Sequence, residues 1–391
     1  MTKQYGTLVS NASRKIIAGV ILCVSTQAWG FSLISYKGTP ARWSQSNSIA
    51  IEVDPRFDPY LDENGCDTIG SCIDTMNMVK RAINQWKNTS NVNINISKVT
   101  PTLINSTPHY DGKNQIKMFN NGWNDLPFNP PSSALAVTIS TYQDPNTIVD
   151  ADIFINADTF SWAHVDSNEE GNRYDIQNVL THELGHFFGL DHTSENATEI
   201  NSTYFDATMF FASKPGETFR RDLHDLDVLG IQHLYTSQNL PEPVVEEFTP
   251  GDIHVEAQNA TIEIFGDQFT PTASVVVVRE TEQGDLNARI IAVESDRIIA
   301  KIPVSSLKTG TYDVVVSNSY DKFVRLNQAL NISNQYLFGS YEEDKKLLAS
   351  QGSGCQSNSS TMALLILLVL GGLFTQRKIS LSTSSIQSLR P

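Results

Sequence analysis

The chain has 391 residues, 43 acidic and 28 basic, and a formal net charge of −15. That length accommodates two domains, each with its own core. The acidic balance argues against a nucleic-acid partner, because phosphate contacts need clustered Lys and Arg; it suits an exported, soluble surface.

Residues 1–30 read as a secretory signal peptide. Lys3, Arg14 and Lys15 form a positive start, Ile16 to Val24 a short apolar core, and Ala28 and Gly30 supply small residues for cleavage before Phe31. Cys23 does not fit a lipoprotein signal, because Leu22 before it is too large. Cys66 and Cys72, in "NGCDTIGSCID", then read as a short disulfide loop of an oxidising compartment; a two-Cys metal site is the weaker alternative, with no His pair nearby.

Residues 31–238 form the first predicted domain. "SIAIEV" (Ser48 to Val53) alternates apolar and polar side chains, as a half-buried strand does. "DTMNMVKRAINQWK" follows with helical spacing, placing Met76, Val79, Ile83 and Trp86 on one face. Strands are then expected at Val92 to Ser97, Gln115 to Phe119, Ala134 to Thr141 and Ile148 to Asn156. A helix capped by Asp175 carries "THELGHFFGLDH", with Ile176, Val179, Leu180, Leu184 and Phe187 toward the core. A last helix, "DLHDLDVLGIQHLY", turns Leu223, Leu226, Leu229 or Gly230, and Leu234 inward. The order is strand, helix, four strands, helix, helix: an α/β (α+β) layer with the motif helix beneath the sheet.

Residues 239–251, "NLPEPVVEEFTPG", are proline-rich and acidic and read as a linker. Residues 252–333 hold short β-branched runs between turn residues, which predicts an all-β sandwich. Gly266 before "DQF", Pro303 after a strand, and "GTYDVVVSN" resemble the IPT/TIG type of immunoglobulin-like module; such modules are usually spacers or binding domains. Residues 334–361 read as a flexible linker containing Cys355. At 362–378 the run "MALLILLVLGGLF" is followed by Arg377 and Lys378. It is short for a span of about 20 residues. It reads either as a bacterial sorting tail or as a plain C-terminal anchor, the one place where membrane contact is expected; 379–391 is a tail.

The chemistry concentrates between Thr181 and His192, where three of the eight histidines fall. A four-residue step on an α-helix turns about 400°, so His182 and His186 share a face. Two imidazoles so placed can hold one zinc ion. Glu183 is set to act as a base beside the metal rather than as a ligand. Six residues beyond His186, His192 would point elsewhere on a continuing helix. Gly189 accepts the left-handed backbone that ends a helix, which lets His192 return to the same ion. Three neutral His ligands leave a fourth position for water, which marks a catalytic zinc site rather than a structural one.

With these five positions, His182, Glu183, His186, Gly189 and His192, the segment from about 36 to 236 resembles the matrixin-like metzincin zinc metallopeptidases. The resemblance implies a mixed, mostly parallel sheet over an active-site helix, a catalytic Zn2+, and protein or peptide substrates. It makes Met209, in "DATMFF", the methionine of a turn packed under the imidazoles. "ARW" (Ala41 to Trp43) resembles the start of the catalytic domain, and Asp227 an acidic position of the last helix. The edge strand "ALAVT" would pair with an extended peptide. The loop from His192 to Met209 is longer than in typical matrixins. Phe211 stands where some metzincins carry a tyrosine ligand, so none is expected. Phe154 and Val137 stand where histidines of a second, structural zinc would be, so that site is not expected either. "YQDPNTIVDAD" and "HVDSNEEGNRYD" offer carboxylates for Ca2+, with solvated acidic loops the alternative. The function read from the sequence is an exported, surface-retained zinc endopeptidase. The alternatives are a surface adhesin or binding protein with a vestigial metallopeptidase domain, and a zinc hydrolase of non-peptide amides.

Overall fold

After four two-residue strands, alternating burial builds the first longer strand, β1 (Ile49–Val53): Ile49, Ile51 and Val53 are buried, and Ala50 is exposed. The structure, a computed structural model, describes residues 30–45, 48–54, 73–104, 111–144, 146–164, 172–279, 284–334 and 384–389. The expected leader, the Cys66–Cys72 loop and the apolar run at 362–378 lie outside these residues. Helix α1 (Ile73–Lys87) follows β1, then β2 (Ile96–Pro101), β3 (Asn114–Phe119), β4 (Ala136–Asp144) and β5 (Thr147–Asn156). The sheet order is β4-β5-β3-β1-β2. All neighbours are parallel except β4, which pairs antiparallel with β5 at one margin. Central β5 is buried on both faces: Ile153 and Ile155 face the helices, while Phe154 packs with Phe119, Trp123, Leu126 and Val137 on the other side.

The second strand begins later than the alternation at Val92 to Ser97 suggests. Val92 forms an isolated bridge with Thr236, and the Asn93 N–H donates to the Tyr235 carbonyl at 2.8 Å. Those contacts tie the segment to the end of the last helix, so pairing with β1 starts only at Ile96.

Under the sheet lie α1 and α2 (Ile176–Phe187), in contact with each other. Val79, Ile83 and Trp86 of α1 are buried in the shared core, with Met76 packed against it. The Trp86 indole N–H donates to the Thr181 carbonyl of α2 at 2.8 Å, so this large core side chain keeps its polar atom satisfied. Every residue of α2 is buried, not only its expected inner face. A one-turn helix, α3 (Ser202–Phe205), and α4 (Asp225–Tyr235) complete this part.

The second part is two facing sheets. Its strands are β6 (Val244–Thr249), β7 (Asp252–His254), β8 (Ala260–Asp267), β9 (Ser274–Val277), β10 (Leu286–Asn287), β11 (Arg289–Val293), β12 (Arg297–Ile302), β13 (Gly310–Ser319) and β14 (Lys322–Ser333). They form the orders β6-β8-β12-β11 and β7-β14-β13-β9-β10. One core joins the sheets, Ile262, Ile264, Ile298 and Ile302 meeting Val275, Val277, Val314 and Val316. Each such fully buried side chain contributes about 1.5–3 kcal/mol.

The stretch 239–251 is not a linker throughout. Val244–Thr249 pairs antiparallel with β8, and Val245 and Phe248 pack on the sandwich core. Of the three prolines that suggested a linker, Pro241 and Pro243 precede the strand and Pro250 follows it, so its amides stay free to pair. Finally β15 (Ser384–Leu389) adds to the outer edge of β4, antiparallel, with Gln387 opposite Thr138.

Candidate metal centre

Helix α2 starts at Asp175, whose carboxylate accepts the Asn178 N–H at 2.7 Å and pairs with Arg221. It ends where Gly189 takes φ 102°. A Cβ there would stand 2.2 Å from the Ala41 carbonyl oxygen, so both the backbone angle and the space require glycine. The chain then reverses through Leu190 and Asp191 and delivers His192 to the two helix histidines. His182 Nε2 and His186 Nε2 are 3.1 Å apart, and His186 Nε2 and His192 Nε2 are 3.2 Å apart. Among the described residues this is the one cluster of three or more His, Cys, Asp or Glu that could hold a metal ion.

Their outer nitrogens decide the protonation. His182 Nδ1 lies 2.7 Å from the Thr208 carbonyl, and His186 Nδ1 lies 2.9 Å from the Leu190 carbonyl. Carbonyls only accept, so both Nδ1 atoms carry the proton. His192 Nδ1 is directed likewise at Glu195, at 3.1 Å. Three Nε2 atoms converge on one point. Burial holds His182 and His186 well below the ordinary imidazole range, reinforced by the neighbouring imidazoles. Neutral rings with facing lone pairs repel unless a cation lies between them. Tetrahedral nitrogens at zinc–nitrogen bonds of about 2.0–2.1 Å sit about 3.3 Å apart, which these separations approach. The donor set fits zinc.

Glu183 is fully buried next to His182, and its Oε2 accepts from the Thr138 hydroxyl of β4 at 2.6 Å. Met209 packs under α2, where a Cβ on Gly185 would meet its sulfur at 2.2 Å. The turn bearing it is fixed by buried Asp227, which accepts the N–H groups of Thr208 at 2.8 Å, Met209 at 3.0 Å and His224 at 2.9 Å. Burial pushes the Asp227 carboxyl up, and these three amides oppose the shift. A relay thus runs from Asp227 through Thr208 to His182. At the helix end, the Trp43 indole N–H and the Tyr235 hydroxyl donate to the carbonyls of Phe187 and Phe188, both at 2.8 Å. The Phe211 ring packs edge-on to His192.

Sequence reasoning missed Thr138 as a partner of Glu183, and Gly185. Thr138 was legible only as one residue of a strand; Gly185 lies inside the motif, at a position the spacing leaves open. Cys66 and Cys72 fall outside the described residues. In the first acidic loop, Asp144 accepts the Asn146 and Thr147 N–H groups, Asp150 that of Gly112, and Asp152 that of Gln115. These carboxylates serve the chain's own turns, which leaves the Ca2+ expectation without support there. Most of the second acidic loop lies outside the described residues.

Residues 71–236 match the family model described as Matrixin. This segment is a matrixin domain. The family is one of zinc-dependent metallopeptidases, and the match begins later than residue 36, where the resemblance was placed. The matrixin domain thus holds the whole histidine cluster, Glu183, Met209 and Asp227. No curated protein matches the chain significantly. Among solved structures, a Bacteroides thetaiotaomicron protein of unknown function is 17% identical over 24% of this chain and 22% of that one, at TM-score 0.20. The chain therefore spans under a quarter of that structure's length. The TIG domain of human nuclear factor of activated T-cells, cytoplasmic 4, is 18% identical over 24% of this chain and 90% of that one, at TM-score 0.20. A β-glucosidase from Listeria innocua is 9% identical over 78% and 48%, at TM-score 0.22. At these scores none of the three carries an argument about the matrixin domain or the sandwich.

Proposed function

We propose that the chain is an exported zinc-dependent endopeptidase that hydrolyses peptide bonds with Glu183 as general base. The observation that carries this reading is the convergence of three Nε2 atoms, each on a ring whose Nδ1 faces an oxygen, beside a buried carboxylate. His182, His186 and His192 would hold the ion. When bound, zinc supplies Lewis-acid polarisation of a carbonyl and a water acidified to a pKa near about 7. Glu183 takes the proton of the attacking water on its carboxylate and returns it to the leaving amine. Thr138 orients that carboxylate from β4, the strand beside which the substrate would lie. The edge of β4 already carries an extended segment, β15, in antiparallel register. A peptide substrate would take the same place by strand addition, with its backbone supplying the hydrogen bonds.

Export rests on the leader sequence, and surface retention on the apolar run at 362–378. No helix among the described residues is long and apolar enough to cross a membrane. The immunoglobulin-like sandwich, of IPT/TIG type, completes the proposed architecture. Digestion of casein and of a peptide library by the zinc-loaded chain, with and without chelator, tests the reading. Cleavage that chelator abolishes and zinc restores is expected. Failure of the folded, zinc-loaded chain to cut any member would refute it.

A further inference from the structure

The contacts of the sandwich with the rest of the chain include the segments on both sides of His192. On the amino-terminal side of that histidine, Leu190–Asp191 pairs antiparallel with Ser32–Leu33, and the Ile34 N–H donates to the Gly189 carbonyl at 3.0 Å. The strap that includes Leu33 is gripped in turn by the sandwich. The Asn287 side-chain amide receives the Leu33 N–H at 3.3 Å and donates to the Leu33 carbonyl at 2.9 Å. Asp285 accepts the Gly38 N–H at 2.6 Å, and its own N–H donates to the Ser35 carbonyl at 3.1 Å.

On the carboxy-terminal side, the long loop folds back onto the same part of the sandwich. The Thr193 N–H donates to the Met209 carbonyl at 2.9 Å, and the Thr193 hydroxyl to the Tyr204 carbonyl at 3.3 Å. Tyr204 is fully buried, and its hydroxyl donates to the Ile290 carbonyl at 3.1 Å. The Arg289 guanidinium lies 3.5 Å over the Tyr204 ring and pairs with Glu199 at 3.1 Å. A planar cation stacked on a ring and bonded to a carboxylate fixes orientation as well as distance.

Both routes start from six consecutive residues of the sandwich. We infer that the Asp285–Ile290 segment is a positioning element of the metal centre, holding the backbone on both sides of His192 through the amino-terminal strap and through Tyr204. The inference rests on the reading of His192 as a metal ligand. It gives the sandwich a part in the site where a spacer would have none. It also accounts for the length of the His192-to-Met209 loop, which must reach the sandwich.

The test uses the full chain and the variants Asn287→Ala, Arg289→Ala, Arg289→Lys and Tyr204→Phe. Arg297→Ala serves as comparison, because it breaks an ion pair with Glu263 inside the sandwich, away from this contact. Zinc affinity is read by competition with a chromophoric chelator, and backbone opening by hydrogen exchange at residues 189–194. Loss of partners that orient ligands typically weakens metal binding about 10–100-fold. Asn287→Ala, Arg289→Ala and Tyr204→Phe are expected to weaken zinc binding about tenfold and to speed exchange at these amides. Arg289→Lys keeps the charge opposite Glu199 and should recover part of the loss, while Arg297→Ala leaves both readouts unchanged. Tyr204→Phe removes one oxygen and keeps the test valid should Asn287→Ala not fold. Wild-type zinc affinity and exchange in the folded variants would overturn this inference alone. Absence of zinc binding by the wild-type chain would overturn it together with the metal reading.

Discussion

At the scale of single residues, the site is a problem of lone pairs. Each Nδ1 is committed to an oxygen, so on the proposed reading each Nε2 is left to face a cation, and the spacing of His182, His186 and His192 suits that arrangement. This is why the motif was legible in the sequence: coordination geometry fixes the residue types and their separations together. Thr138 was not legible, because it reaches Glu183 across 45 positions and only the pairing of β4 with the sheet brings them together. Two predictions belong here. Glu183→Gln keeps the shape and removes the base; kcat should fall by about 10²–10⁴-fold while zinc stays bound, as steady-state kinetics and metal analysis will show. Asp227→Asn replaces an acceptor of three amides with a group that presents N–H to some of them. It should cost about 3 kcal/mol in denaturant unfolding and weaken zinc binding about tenfold, because the Thr208 carbonyl no longer holds His182 in place.

At the scale of elements, most strands and all three longer helices stand close to where periodicity put them. The exceptions share a cause. Val92 and Asn93 alternate like a strand but bond to the end of α4, and Val244–Thr249 looks like linker because prolines flank it. Local pattern shows which side chains want burial, not which backbone will pair with which. The turn at Gly189 makes an element-level prediction. Gly189→Ala forces a left-handed alanine against the Ala41 carbonyl, so it should cost about 2 kcal/mol or more in thermal unfolding and impair zinc binding. The β4 edge makes another. If β15 and substrate share it, deletion of residues 379–391 should lower KM several-fold with little change in kcat; an unchanged KM would mean that substrate binds elsewhere.

At the scale of the whole molecule, the sequence predicts two bodies joined by a linker, whereas the structure has an interface that includes the flank of the histidine cluster. Asn287 and Leu33 are 254 positions apart, beyond any pattern a local reading can detect. His233 also lies in that interface, fully buried in α4, with Nδ1 donating to the Thr272 carbonyl of the sandwich at 2.8 Å. Burial pushes its pKa down to about 4, with Arg42 nearby adding to the effect and Asp321 opposing it. The neutral form belongs to the folded state, whereas an unfolded histidine takes up a proton near about 6.5. His233 therefore gives its full stability above about pH 6.5 and loses it as pH falls toward about 4, on the order of 3 kcal/mol in all. His233→Asn, which keeps an N–H for Thr272, should flatten that part of the pH–stability curve relative to wild type in urea unfolding at pH 4–7.

On the proposed reading three imidazoles bind one ion, and His192 completes the set. Zinc stoichiometry of the full chain after exhaustive dialysis tests it most directly, with wild type, Glu183→Gln and His192→Ala compared side by side. One zinc per chain is expected in the first two and a clear loss in the third. A folded wild-type chain without zinc, or a His192→Ala chain that retains it fully, would rule out the three-histidine site.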